Sequence, residues 1–302
     1  MGKQNKLEVS TLDEHSATDV KPKVLQGDCL KYFEIGTIKD VDLTFFDPPY
    51  NQGKEYNHFD DSQDPEEYWA LIKKVLEGTY NATVEGGAIY FMHREKNAEF
   101  VLRSLRETNW NYQNTIIWKK LTSAVPNRCR FGKSYQVIVF ATKGKQPRVF
   151  NRLRIDPPLP PHYTYKRKNG MYVTDIWSDI RELTSGYFAG DEPFRDKKGE
   201  RLHKQQSPVA LLMRIIMSSS LPGDTVFDPM TGTGTTLVTA HQLQRKSVGI
   251  EIDVNHVDLI KKRLEKLKPA DDVSKYFQDY QYTPKLDKIL GINIKKQREL
   301  LV

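Results

Sequence analysis

Short apolar runs set the rhythm of the first half of the chain: KVLQGDC from Lys23, then VDLTFFD, GGAIYFMH, NTIIWKK and YQVIVFAT. Runs of this length, rich in β-branched and aromatic residues, predict strands covered on both faces of a sheet. Between them PEEYWALIKKVLEGTY repeats its apolar positions at helical spacing, which predicts an amphipathic helix. Strand alternating with helix predicts a doubly wound, mostly parallel α/β sheet.

The rhythm stops over residues 145–201, where IDPPLPPHYTYKRKNG and GYFAGDEPFRDKKGE concentrate Pro, Gly, Tyr and charge. That composition predicts an insertion, not more sheet. It resumes at SPVALLMRIIMSSS, with Ser207 as the expected N-cap and Pro208 at the first helical position. Strand DTVFDP, a glycine-rich turn, helix TTLVTAHQLQ, strand SVGIEI and helix NHVDLIKKRLEKL follow. Five segments are expected: a flexible lead-in at 1–22, core halves at 23–144 and 202–268, the insertion at 145–201, and a polar tail at 269–302 without an assigned role.

Composition narrows the function classes. Lys and Arg number 46 against 39 Asp and Glu, a formal net charge of +7, which favours polyanionic partners without requiring them. The only cysteines, Cys29 and Cys129, form no CxxC pair and lie in no His cluster, so neither a disulfide framework nor a zinc site is expected. No apolar run has the length of a membrane span. A soluble cytoplasmic protein is the expectation.

Two stretches carry candidate chemistry. Asp47-Pro48-Pro49-Tyr50 follows the strand LTFF directly. Two prolines stop strand pairing and stiffen the backbone as it leaves the sheet. A carboxylate and an aromatic ring are thereby held at a strand's carboxyl end, where open α/β sheets bind ligands. Asp156-Pro157-Pro158-Leu159 repeats the first three letters with no strand before it and no aromatic after, and reads as polyproline linker. The second stretch, Phe227-Asp228-Pro229-Met230-Thr231-Gly232-Thr233-Gly234-Thr235-Thr236, joins a strand to a helix. Its glycines permit a tight turn and close backbone approach, and the helix offers unpaired N–H groups. The third glycine of a dinucleotide fingerprint would fall at Leu237, which suits an adenosine-containing ligand without pyrophosphate, S-adenosylmethionine above all. Glu251, ending the next strand, is placed for ribose hydroxyls. Asp28 reads either as an adenine contact or as a helix cap.

Together these motifs resemble the amino-methyltransferases of DNA, in the permuted order called the beta class: DPPY first, recognition region in the middle, glycine loop last. His203-Lys204-Gln205-Gln206-Ser207-Pro208 resembles the segment ahead of that loop, with several letters changed. The resemblance spans about residues 23–268. It implies a Rossmann-like methyltransferase core with a seven-stranded sheet and catalysis by Asp47, Pro48, Pro49 and Tyr50. It implies methyl-donor contacts from Asp28, Cys29, Asp47, Phe227, Asp228, Pro229, Gly232, Thr233, Gly234, Thr235, Glu251 and Ile252. It also implies double-stranded DNA as substrate, a homodimer and a prokaryotic cytoplasm, and leaves open whether a cognate restriction endonuclease is a companion or the protein acts alone. The Asp47 carboxylate and Pro48 carbonyl would accept the hydrogens of an exocyclic amino group, favouring a tetrahedral nitrogen whose lone pair attacks the methyl. The base must be flipped out of its duplex, with Tyr50 stacking on it.

DNA contacts are expected from Lys119, Lys120, Arg128, Arg130 and Lys133, a stretch with no acid, and from Lys166, Arg167 and Lys168 of the insertion. Tyr163, Tyr165, Tyr172 and Trp177 serve either base reading or the insertion's own core. Adenine N6 is favoured over cytosine N4, whose enzymes more often carry Ser in place of Asp47. The competing readings are an RNA, protein or small-molecule methyltransferase, a non-catalytic nucleic-acid binder, and an NAD dehydrogenase without an obvious hydride-transfer site.

Overall fold

The computed structural model describes residues 21–53, 61–120, 128–157, 167–183, 191–195, 198–199, 201–202 and 206–292. Most of the expected lead-in lies outside these residues, as do Tyr163, Tyr165, Lys166, His203, Lys204 and Gln205.

In chain order the strands are β1 (Lys23–Gln26), β2 (Val41–Phe46), β3 (Thr83–Arg94), β4 (Asn111–Lys119), β5 (Tyr135–Thr142), β6 (Arg154–Ile155), β7 (Met171–Tyr172), β8 (Ile176–Trp177), β9 (Thr225–Asp228) and β10 (Lys246–Glu251). All but β6 and β7 form one sheet in the order β1-β10-β9-β2-β3-β5-β4-β8. Neighbours from β1 to β3 run parallel, and β5 is antiparallel to both β3 and β4. The mostly parallel α/β sheet is as expected. It has eight strands, not seven, because the mid-chain segment supplies β8, which pairs with β4 through Ile117↔Ile176 and Trp118↔Trp177.

Period-two alternation buries both faces. Leu43, Phe45, Tyr90, Met92, Ile138 and Phe140 pack on one side. Phe46, Ile89, Phe91, Val139 and Ala141 pack on the other. The second face is covered by α1 (Cys29–Glu34), α2 (Pro65–Ala82) and α3 (Ala98–Glu107). Helix α2 starts where its sequence says it should. The Asp64 side chain accepts from the Glu66 N–H at 2.8 Å, Pro65 opens the helix, and Glu66 and Glu67 occupy the first turn.

The first face is covered by α4 (Val209–Ser219), buried almost all round. The reason lies outside it: the segment after α5 (Thr235–Gln242) and α6 (Val254–Glu265) packs on the same cluster. Val273, Phe277 and Tyr280, with Leu286, Ile289 and Leu290 of α7 (Leu286–Leu290), are core residues. The polar tail is thus a structural layer. Buried Arg214 of α4 makes a two-pronged pair with Asp179 at 2.9 and 2.5 Å and donates to Tyr280 Oη at 2.9 Å. It ties the mid-chain segment and the tail to one helix.

One local expectation is corrected, and one open choice is decided. Ser207 does not cap α4: Pro208 holds the cap position with no side-chain bond, and Glu192 Oε1 accepts from the Val209 N–H at 2.6 Å. Trp177, a candidate base reader, is buried in the core with Ile180.

Candidate active site

β2 and β9 are parallel neighbours, paired through Leu43↔Val226 and Thr44↔Phe227. From this pair the chain winds outward in opposite directions, to β3 on one side and β10 on the other. That makes their carboxyl edge the topological switch point, the usual ligand crevice of an open α/β sheet. Asp47 leaves β2 there, Asp228 ends β9 and Glu251 ends β10.

The three carboxylates feel one another. Burial pushes Asp228 up to about 7, and the negative charges of Asp47 and Glu251 push the same way. The Thr236 hydroxyl at 2.5 Å and the Met230 N–H at 3.1 Å hold Asp228 in place and oppose that rise.

The proline turn is fixed by side chains from four elements. Asp47 Oδ1 accepts from Tyr50 Oη at 2.5 Å, and Tyr50 Oη accepts from Gln136 Nε2 of β5 at 2.7 Å. Asp47 Oδ2 accepts from Ser207 Oγ at 3.1 Å. The Pro49 carbonyl accepts from Tyr68 Oη at 2.7 Å. Tyr68 in turn lies 2.9 Å from His93 Nε2. His93 is fully buried, and burial, aided by Lys96 and Arg94, pushes its pKa down to about 3. The ring is therefore neutral. Its Nδ1 accepts from the Arg94 N–H at 2.9 Å, so the proton sits on Nε2 and donates to Tyr68, whose own proton goes to Pro49. Beyond the turn, Asn51 adopts a left-handed φ of 51°. The buried Asp61 carboxylate accepts from Asn51 N at 2.6 Å and Gln52 N at 3.0 Å.

Tyr50 is 2% exposed, its ring 4.7 Å from the His93 ring centroid.

The glycine loop has Gly232 at φ 55° and Gly234, the N-cap of α5, at φ 79°. A Cβ at Gly234 would lie 2.8 Å from Ile260. Glu251 braces the loop: Oε2 accepts from Gly232 N at 2.8 Å and Oε1 from Asp253 N at 2.9 Å. Thr233 and Thr235 are buried within the loop, and Ile252, 44% exposed, stands at its rim. Asp28 takes its cap role, accepting from the Leu30 N–H at 3.0 Å. It remains at the site's edge, because the Gly27 N–H bonds the Glu251 carbonyl at 2.8 Å. Cys29 and Phe227 are core residues beneath the site, and burial pushes the Cys29 thiol up to about 12. An anionic crevice with a glycine turn suits a cationic ligand that carries an adenosine.

The basic candidates separate. Lys119, Arg128, Arg130 and Lys168 are exposed, and Lys133 pairs with Glu95 at 2.9 Å. Lys120 is largely withdrawn from solvent, and burial lowers its pKa while Glu182 and Asp47 pull the other way. Arg167 pairs with Asp156 at 2.9 Å and donates to the Pro157 carbonyl, so its fork is taken up inside the insertion. Tyr172 is exposed beneath the Arg152 and Arg154 guanidiniums, 4.1 and 4.4 Å from its centroid. Gln136, Tyr68, His93, Asp61 and Ser207 as a ligand of Asp47 were not readable as site residues. Of these, His93 leaves a signal at the carboxyl end of an apolar strand, and Ser207 one in the segment that resembles the family's stretch ahead of the loop.

A model of the DNA methylase family matches residues 41–262. Type II methyltransferase M.HinfI of Haemophilus influenzae is 27% identical over 85% of this chain and 72% of its own length. M.BamHI of Bacillus amyloliquefaciens is 28% identical over 87% and 63%. Among solved structures, M1.HpyAVI in complex with SAM superposes with a TM-score of 0.55 at 20% identity, over 82% of this chain and 100% of that one. The cytosine-N4-specific PvuII DNA methyltransferase gives 0.56 at 15% identity, over 90% and 93%. At those identities the two structures speak to the fold alone.

Proposed function

The chain belongs to the DNA methylase family, and from that premise we propose that it transfers a methyl group from S-adenosylmethionine to an exocyclic amino nitrogen in double-stranded DNA, adenine N6 in preference to cytosine N4. The carrying observation is the Asp47 carboxylate, held by the Tyr50 and Ser207 hydroxyls, in the electrostatic field of the Asp228–Glu251 crevice.

Bound in that crevice, S-adenosylmethionine supplies a methyl group on a positively charged sulfur. The acids favour that charge, the glycine loop admits the ligand, and Glu251 is placed for its ribose. Asp47 and the Pro48 carbonyl accept the amino hydrogens of the target base and so keep its nitrogen lone pair available. Preorganised acceptors of this kind contribute about 10²–10³ in rate. The Tyr50 hydroxyl stands where an amino hydrogen would bond Asp47. A flipped base displaces it, and the released ring becomes available for stacking. The neutral His93–Tyr68 relay keeps Pro49, and with it the turn, in one orientation.

Adenine is favoured by aspartate at position 47, where cytosine-N4 enzymes more often carry Ser. Residues 145–201 are assigned to target recognition on their position and on the exposed Tyr172 with its two arginines. Residues 23–144 then carry catalysis and 202–268 the cofactor. The type II names of the relatives support a place in a restriction-modification pair.

The test is incubation of the protein with S-adenosylmethionine and unmethylated genomic DNA, digestion to nucleosides, and separation by mass, with Asp47→Ala alongside. N6-methyladenine from wild type but not the variant is expected. N4-methylcytosine would keep the mechanism and overturn the base. No methylated base would overturn the activity on DNA.

A further inference from the structure

A buried ion pair just past the family-matched residues grips the glycine loop from behind. Arg263, near the end of α6, is fully buried, as is its partner Asp271. Its Nε and Nη2 meet the two Asp271 oxygens at 3.0 and 2.6 Å. Its Nη1 donates to the Thr233 carbonyl at 2.8 Å and to Thr235 Oγ1 at 3.0 Å. Asp271 is itself anchored to the helix that the loop leads into: the Gln242 side chain of α5 donates to its carbonyl at 2.9 Å and accepts from the Val273 N–H at 3.1 Å. The Phe194 ring lies 4.9 Å from the Arg263 guanidinium.

Those contacts fall on the two residues flanking Gly234. Glycine permits many backbone conformations, so a loop built on it must be held from outside to present its N–H groups in one direction. A buried ion pair is a poor device for stability alone, since apolar residues of similar volume often serve the core as well. What apolar residues cannot do is donate to a loop carbonyl and a hydroxyl at once.

We propose that Arg263, aligned by Asp271, is a positioning residue for the methyl donor and sets the affinity for S-adenosylmethionine by fixing residues 233–235. This rests on the reading of that loop as the donor site. It also gives the segment after α6 a role in ligand binding.

The experiment is calorimetric titration of S-adenosylmethionine into wild type and the double variant Arg263→Met, Asp271→Leu, with thermal unfolding and amide exchange over 232–236 as parallel readouts. The double variant is expected to fold, to exchange faster in the loop, and to bind about tenfold more weakly, while kcat at saturating donor changes far less. Arg263→Lys, which keeps the charge and loses the fork, should recover part of the affinity. A folded double variant with wild-type affinity overturns the proposal. If that variant does not fold, Arg263→Lys decides, because it keeps the buried charge and loses the fork that meets Thr233 and Thr235. A several-fold weaker affinity supports the proposal, and no change overturns it. Wild type that itself fails to bind the donor overturns the reading of the loop, and the proposal with it.

Discussion

Two turns at the carboxyl ends of adjacent parallel strands hold their backbone by opposite means. The turn after β2 is built on Pro48 and Pro49, whose φ angles are fixed covalently, so the surrounding side chains only aim it. Tyr50, Gln136 and Ser207 orient the carboxylate, and Tyr68 orients a carbonyl. The loop after β9 is built on Gly232 and Gly234, both at positive φ, and has no stiffness of its own. Glu251 and Arg263 hold it through its N–H, carbonyl and hydroxyl groups. On the proposed reading, the acceptor of the amino hydrogens sits on the stiff turn, and the loop that meets the methyl donor is stiff only through its neighbours.

This contrast can be broken most severely at Gly234. Valine there meets Ile260 and forces a branched side chain into a left-handed backbone. A loss of roughly 3 kcal/mol in unfolding free energy, together with loss of donor binding, is expected in urea titrations and calorimetry. Tyr68→Phe tests the other turn. It leaves the Pro49 carbonyl without its donor and the His93 Nε2–H without its acceptor, about 1–3 kcal/mol for a buried group. The expected result is a fall in kcat of about tenfold or more with donor affinity unchanged, so an equal fall in donor affinity would refute independent turns.

Proton linkage at Asp228 is a gentler probe. Its folded pKa of about 7 lies above the unfolded value of 3.8, so the folded state holds a proton that the unfolded chain has released between those values. The contribution of this group to stability therefore falls as pH rises from about 4 to about 7 and is flat above. Affinity for a positively charged donor should rise as pH passes through about 7, where the folded carboxyl ionises, and affinity for the uncharged thioether product should not. Asp228→Asn should flatten both trends in paired titrations at pH 5 and 8. The smallest effect is expected from Gln136→Leu, which removes one neutral donor to Tyr50. A kcat change of a few-fold, with unchanged unfolding midpoint, would confirm that the proline turn needs only aiming.

The sequence carried the alternation of strand and helix, the two turns and the acids at the strand ends, because each is written in neighbouring residues. Apolar runs, Pro-Pro and Gly-x-Gly all act locally. What it concealed depends on residues far apart in number. Asp61, Gln136 and His93 reach the turn only after the chain folds back. Ser207 and Pro208 spell a helix start, yet Glu192 supplies the bond to Val209 N while Ser207 turns to Asp47. The segment after Pro269 looked polar because its core residues are widely spaced among charges. Its six buried apolar positions lie on short helical turns whose partner face is α4. Trp177 stayed undecided between reader and core because an aromatic in a polar insertion signals exposure and burial equally well.

The sheet order carries one more consequence, concerning synthesis. β1 near the start of the described chain pairs with β10 near its end, and the β9–α5 loop is gripped by Arg263 and Asp271, later still. A nascent chain therefore assembles β2, β3, β4 and β5 long before the strand at 23–26 finds its neighbour. The glycine loop acquires its full set of hydrogen bonds only after residue 271 has left the ribosome. Ser207, which helps to aim Asp47, also follows β5, so the two halves of the crevice come together only once β9 and β10 are made.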